Sequence, residues 1–178
     1  MRYGFHGTIK PPFRLAPGCD AAGLKSALAV LAAELAPLSM PGLELRNLGG
    51  FLALTPVGDD SALQQLAARV LRDLDHFRAP LTEAESARRN PDRLTLRQRE
   101  LLDLWGYPYV MEQFRFHLTL TDHLPPEVAK QAEAVLGDYL GPVLPRTFRI
   151  ADLCPFGQRS ERGAEGRFHL LHRYPLTG

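Results

Sequence analysis

Two short stretches, His6-Gly7-Thr8-Ile9 and His117-Leu118-Thr119-Leu120, each place an imidazole two residues before a hydroxyl. Side chains alternate faces along an extended strand, so in each stretch the His and its Thr point the same way. In the first, Gly4, His6, Thr8 and Lys10 share one face, while Tyr3, Phe5, Gly7 and Ile9 share the other. In the second, Arg115, His117, Thr119 and Thr121 form a polar face backed by Phe114, Phe116, Leu118 and Leu120. Brought to one cleft, the polar faces supply two imidazoles, hydroxyls and two cations.

That set suits displacement at phosphorus. An imidazole exchanges its proton near neutral pH, so one ring can take a proton from the attacking oxygen while the other protonates the leaving oxygen. Hydroxyls and fixed cations can hold the nonbridging oxygens as charge builds in the transition state. No metal or other cofactor is called for, because two imidazoles cover both proton transfers. Neither strand's polar face offers a carboxylate to complete a metal site. A single His-x-Thr carries no weight, since such tripeptides are common. Two of them, each opening the same order of elements, carry the argument.

Those elements follow from pattern. Residues 3–9 alternate aromatic and small or polar side chains and stop at Pro11-Pro12, as a strand does. Residues 20–36 read as an Ala- and Leu-rich helix with Asp20 at its N-cap and Pro37 beyond its end. Residues 43–47 and 51–55 read as strands around a Gly49-Gly50 turn, a hairpin. Residues 60–77 carry Leu63, Leu66, Ala67, Val70, Leu71 and Leu74 on one helical stripe. Thr82 with Glu85, and Thr95 with Gln98, have the spacing of capping boxes that start short helices, the second ending near Trp105-Gly106. Residues 114–121 then read as a strand and 126–140 as a helix closed by Gly141-Pro142. Residues 147–156 and 167–174 read as strands, and the polar, Gly-containing stretch 157–166 between them as a mobile loop.

In outline this is β-α-β-β twice, each copy opening on a His-x-Thr strand. The expected fold is α+β: duplicated β-α-β-β lobes with pseudo-twofold symmetry and antiparallel-rich sheets around a central cleft. One bilobal domain spans 1–178, with lobe one at about 1–57, a helical linker and insertion at about 58–113, and lobe two at about 114–178.

Composition narrows the partners. In 178 residues, 21 basic side chains balance 20 acidic ones for a net charge of +1, so no field draws long nucleic acid. Cys19 and Cys154 are too few for a disulfide framework, and the opening residues lack the apolar run of a signal peptide. No window supplies the ~20 apolar residues of a membrane span. A cytoplasmic location without membrane partners is expected.

Other residues are weaker candidates. Tyr107 and Tyr109 can stack on a base or sugar above the cleft, or, with Trp105, anchor the insertion to the core. Arg88, Arg89, Arg93, Arg97 and Arg99 fit a solvated face better than a phosphate lid. His76 suits a helix end and His123 a turn at the cleft rim, while His169 and His172 fall on opposite strand faces and cannot pair.

At the two motifs the chain resembles the two-histidine (2H) phosphoesterase superfamily, defined by paired His-x-Thr/Ser-hydrophobic motifs. The stretches 3–13, 48–54, 77–82, 105–110 and 114–121 look like its bacterial branch associated with phosphonate-utilisation operons. The resemblance implies a bilobal fold with both motifs in a central cleft, and hydrolysis or reversible ligation of cyclic or 2′-5′ phosphodiesters. The expected activity is therefore a metal-independent, cyclic phosphodiesterase-like hydrolase using His6, Thr8, His117 and Thr119. Lys10, Arg115, Tyr107, Tyr109 and Thr121 are expected to bind a small phosphorylated substrate such as a cyclic ribose phosphate or nucleotide. RNA end processing or 2′-5′ ligation at the same site, with RNA as partner, is the runner-up. A non-catalytic phosphate-binding module is the third possibility.

Overall fold

The computed structural model describes residues 4–161 and 164–178. Tyr3, expected in the first strand, lies outside the described residues, as do positions 162 and 163 of the expected loop.

The fold is mixed α+β with antiparallel sheets. Helix α1 (Ala21–Glu34) starts where the Asp20 carboxylate accepts the Gly23 N–H at 2.7 Å. Strand β1 (Leu38–Met40) follows, then the hairpin β2 (Leu43–Asn47) and β3 (Leu52–Pro56). Its turn needs glycine, because Gly49 and Gly50 have φ of 74° and 112°. Helix α2 (Ser61–Asp73) buries Leu63, Leu66, Ala67, Val70 and Leu71, the stripe its spacing predicts. Both expected capping boxes are present, at Thr82/Glu85 for α3 (Glu83–Ala87) and at Thr95/Gln98 for α4 (Leu96–Trp105). Gly106, at φ 72°, closes α4.

The second half opens on β4 (Leu118–Thr119) and helix α5 (Pro126–Leu140). Then come β5 (Phe148–Ile150), β6 (Asp152–Leu153), β7 (Phe156–Glu161), β8 (Ala164–Leu170) and β9 (Tyr174–Pro175). Three pairings join the two halves. Strand β4 adds to the β2–β3 hairpin, β1 pairs antiparallel with β5, and Gly7 bridges Leu118.

One core sits between helices and sheet, with Leu28 and Leu31 of α1, Leu63, Leu66 and Val70 of α2, and Leu54, Phe116, Leu118 and Ile150 from the strands and the segment before β4. A smaller cluster of Leu71, Leu101 and Val110 takes in Trp105, Tyr107 and Met111 and fastens α4 to α2. Among the described residues, no helix is long and apolar enough to cross a membrane.

Five local expectations need correction. Among the described residues the first motif forms no strand, only the single bridge at Gly7, because the chain bends at Ile9-Lys10 before reaching Pro11-Pro12. Phe5, expected on its buried face, is 60% exposed. The second motif strand shrinks from 114–121 to Leu118–Thr119. The β3 register would set Phe116 against Pro56, which has no N–H for a ladder. The expected strand 147–156 divides into β5 and β6, and the described residues of the expected loop, 157–161 and 164–166, belong to β7 and β8. That ribbon pairs with no further strand among the described residues, so neither face has to be apolar and alternation gives no signal.

Candidate active site

The sheet register decides where the motif side chains stand. Leu45 pairs with Leu54, Leu54 with Leu118, and Leu118 with Gly7, so one row runs from β2 to the first motif. These side chains face the core. Leu54 and Leu118 are buried, and a Cβ on Gly7 would overlap the ring of Phe116. His6 and Thr8 flank Gly7, and His117 and Thr119 flank Leu118, so all four turn to the opposite face. In an antiparallel bridge the residue before one partner lies across from the residue after the other. Here His6 faces Thr119 and Thr8 faces His117 across the bridge. Thr8 and Thr119 are exposed, and both histidines are half-buried.

The two imidazoles are held alike. His6 Nδ1 lies 2.7 Å from the Gly4 carbonyl, and His117 Nδ1 lies 2.8 Å from the Arg115 carbonyl. A carbonyl only accepts, so each Nδ1 must carry the hydrogen and donate it. The neutral ring then has its lone pair on Nε2, the tautomer a general base needs. Each ring also rests on a phenylalanine from the other half of the chain. Centroids are 6.1 Å apart for His6 and Phe156, and 5.6 Å for His117 and Phe51. Packing and hydrogen bond together restrict each imidazole before any substrate arrives.

The remaining expected residues are placed differently. Lys10 leaves the imidazoles and turns inward, 7% exposed, donating to the Leu71 carbonyl at 3.4 Å and pairing with Asp75 at 3.2 Å. Burial pushes its ammonium below the usual lysine range, and Asp75 draws it back in part. Burial alone would raise the Asp75 carboxyl, but Arg78 and Lys10 hold it below its ordinary value. Arg78 grips both Asp75 oxygens at 2.8 and 2.9 Å and reaches the Leu104 carbonyl at 3.1 Å. Lys10 thus ties the first motif to α2 and the insertion. The bend after Thr8 ends the strand alternation on which its expected position depended.

Thr121 also serves structure. Its Oγ1 accepts the Leu52 N–H at 3.0 Å at the start of β3. Tyr107 packs into the small cluster with Arg89 4.8 Å above its ring, and Tyr109 meets it edge-on at 5.7 Å while 48% exposed. This is the anchoring role for Tyr107. Arg115 is exposed, and its guanidinium makes no ion pair with the described residues. Arg97 of the arginine group pairs with Glu100 and Glu112, as a solvated face would.

Some neighbours of the imidazoles had no signal in sequence. Phe51 and Phe156 are ordinary aromatics until the halves meet. Ala53 pairs with Thr119 on the imidazole face and is fully buried. Thr55, two residues along on the same face, has a buried hydroxyl with no hydrogen-bond partner among the described residues. Across β3 from Ala53 stands Arg46, and across from Thr55 stands Glu44. Strand alternation alone would have found the last two once β4 was known to join β3.

A family model described as "Protein of unknown function (DUF1045)" matches residues 8–165. Among curated proteins, "Ribose 1,5-bisphosphate phosphokinase PhnN" of Janthinobacterium sp. (strain Marseille) is 43% identical over 123 residues, which is 69% of this chain and 27% of that protein. The protein of the same name from Laribacter hongkongensis (strain HLHK9) is 39% identical over 123 residues, 69% of this chain and 28% of its own length. The chain therefore spans little more than a quarter of the curated relatives it matches. No solved structure matches it.

Proposed function

The chain belongs to the DUF1045 family, and we propose that it is a two-histidine phosphodiesterase opening a cyclic phosphate, or a 2′-5′-type diester, on a phosphorylated ribose. One observation supports this reading: Gly7 bridges Leu118, a register from which alternation would turn His6, Thr8, His117 and Thr119 to one face, and both Nδ1 atoms donate to the carbonyl two residues back. In the proposed cycle one neutral imidazole takes the proton of an attacking water at Nε2. The other, protonated, gives its Nε2 proton to the leaving ring oxygen. Thr8, Thr119 and Arg115 hold the nonbridging oxygens.

The reading includes the pseudo-twofold arrangement of lobes at about 1–57 and 114–178, with 58–113 as linker and insertion. Its support is that equivalent positions meet each other: Gly7 with Leu118, and β1 with β5, the first strand after the long helix in each half. Membership of the 2H phosphoesterase superfamily, and a role in phosphonate utilisation in a bacterial cytoplasm, belong to the same proposal.

The ribose comes from the relatives' name. Opening a 1,2-cyclic phosphate of ribose 5-phosphate would yield ribose 1,5-bisphosphate, so the step proposed here would feed the kinase named for the longer proteins. Kinase chemistry is not assigned to this chain. Its one Gly-x₄-Gly spacing, Gly18 to Gly23, is followed by Leu24 rather than by the lysine of a phosphate-binding loop.

The test is turnover of ribose cyclic phosphates followed by phosphorus NMR in excess EDTA. A ring-opened monoester should accumulate. Turnover that EDTA abolishes and zinc or manganese restores would overturn the acid–base mechanism.

A further inference from the structure

We infer that the free edge of β2 is a dimer interface, at which a second copy of this chain adds its own β2 antiparallel and extends the sheet. The inference is independent of the proposed reaction.

Strand β2 ends the order β2–β3–β4, and no described strand lies beyond it. The register decides which of its backbone groups face outward. Leu48 donates to the Phe51 carbonyl at 2.8 Å and Val57 to the Gly42 carbonyl at 3.0 Å, so positions 48 and 42 bond to the β3 side. Bonded and non-bonded pairs alternate along an antiparallel ladder. Glu44 and Arg46 therefore bond to β3, and Leu43, Leu45 and Asn47 turn their N–H and C=O groups to the open edge. Folded proteins blunt such an edge with lysine, proline or a bulge. The segment Leu43–Asn47 has none of the three.

The strand is complementary to itself. Set antiparallel with Leu45 opposite Leu45 of the second copy, it places Leu43 opposite the copy's Asn47, and every outward N–H and C=O of these residues meets a partner. Glu44 then stands opposite Arg46 of the second copy, and Arg46 opposite its Glu44. Both fall at non-hydrogen-bonded positions, where facing side chains are closest. Within one copy the two charges are solvent-accessible and, among the described residues, pair only with each other. The Glu44 carboxylate that holds the Arg46 guanidinium along its own strand is shared with a second guanidinium across the junction. Antiparallel self-pairing sets opposite charges face to face, whereas parallel pairing in register would set like charges side by side.

A second feature lies at the same edge. Helix α5 packs against β2, and its Leu140 joins the core on which Leu43 and Leu45 also rest. Its flank leaves Val128, Val135 and Tyr139 uncovered at helical spacing, with Val135 67% and Tyr139 76% exposed. A twofold axis through the paired Leu45 residues, perpendicular to the sheet, keeps both cores on one side and brings the two α5 helices together in antiparallel direction. The stripe supplies apolar area that a strand junction alone lacks. Strand β4 and the Gly7 bridge fall at the outer ends of the joined sheet, so the junction leaves the motifs uncovered.

Sedimentation velocity on the wild type and three variants tests this. The wild type should sediment as a dimer of the 19.8 kDa chain. Arg46→Glu makes the edge acidic throughout and Glu44→Arg makes it basic. Each alone should raise the dissociation constant on the order of 100-fold, because like charges then face each other on both sides of the axis. An equimolar mixture of the two variants restores opposite charges and should regain the dimer. Val135→Glu should weaken the dimer at α5, and circular dichroism checks that each variant keeps the wild-type fold. A monomeric wild type, or a charge variant that dimerises as tightly as the wild type, would overturn the interface. A mixture that stays monomeric would reject the antiparallel register, and a dimer indifferent to Val135→Glu would take α5 out of it.

Discussion

The ring of Phe116 occupies the space that any side chain at position 7 would need, so Gly7 is what lets the two motifs touch. Its missing Cβ admits a buried aromatic from the second motif and brings His6 and His117 onto one face of a shared bridge. Gly7→Ala should cost about 1–3 kcal/mol of stability through overpacking, and it should reduce turnover beyond what the stability loss explains. Pairing it with Phe116→Leu should restore part of both, a non-additivity readable in thermal melts and rates. An alanine variant with native stability and rate would show that the ring yields easily.

The imidazoles should behave as a unit. His6→Ala or His117→Ala should each lower turnover by about 10²–10⁴ if each performs one proton transfer. The double variant should be little worse than the worse single one. Full activity in either single variant rules out the paired mechanism.

Acid and base roles require one neutral ring and one protonated ring in the same molecule. The rate should therefore rise and fall with pH as a bell whose two limbs belong to the pair. A profile with a single ionisation, measured where chemistry limits the rate, would count against two histidines.

Lys10 and Asp75 should separate structure from catalysis. Lys10→Met leaves Asp75 gripped by Arg78, whereas Asp75→Asn leaves two partly buried cations without their carboxylate. Asp75→Asn should be the more destabilising, by about 1–3 kcal/mol for a lost charged hydrogen-bond partner. Lys10→Met should change the melting temperature more than the Michaelis constant. A large rise in that constant in a stably folded Lys10→Met protein would return Lys10 to the substrate.

Acid should loosen the insertion through Glu85. The Arg14 guanidinium, at 2.7 and 2.8 Å, together with the Thr82 N–H, holds this carboxyl down at about 2. A carboxyl lowered on folding contributes stability that is complete above its ordinary value of 4.5 and lost as pH falls toward about 2. The gap in melting temperature between wild type and Glu85→Gln should stay constant at neutral pH and close across that acid window. A gap that persists at pH 2 would remove Glu85 from the account.

Local signals in the sequence are short-ranged, and that divides what could be read from what could not. Caps at Asp20, Thr82 and Thr95, the α2 stripe and the Gly49-Gly50 turn each depend on neighbours within a few residues, and all are where pattern puts them. The middles of the two motifs meet at the Gly7–Leu118 bridge, from which alternation would turn His6, Thr8, His117 and Thr119 to one face. Lys10 turns inward to Asp75 instead, since alternation stops at the bend after Thr8. The ring contacts of Phe156 and Phe51, the floor at Ala53 and the position of Arg46 depend on β4 joining β3 and on the halves meeting. No window along the chain contains that information.

The Gly7–Leu118 bridge also has a consequence in time. Its partners, and those of the β1–β5 pairing, are more than one hundred residues apart along the chain. Closing loops of that length is a slow, entropically costly step that local helices cannot assist. During synthesis the first motif therefore has no partner until the second, more than one hundred residues later, has left the ribosome. Enzyme activity should consequently be the last property regained on refolding, after helical signal returns, and its lag should report the docking of one half on the other.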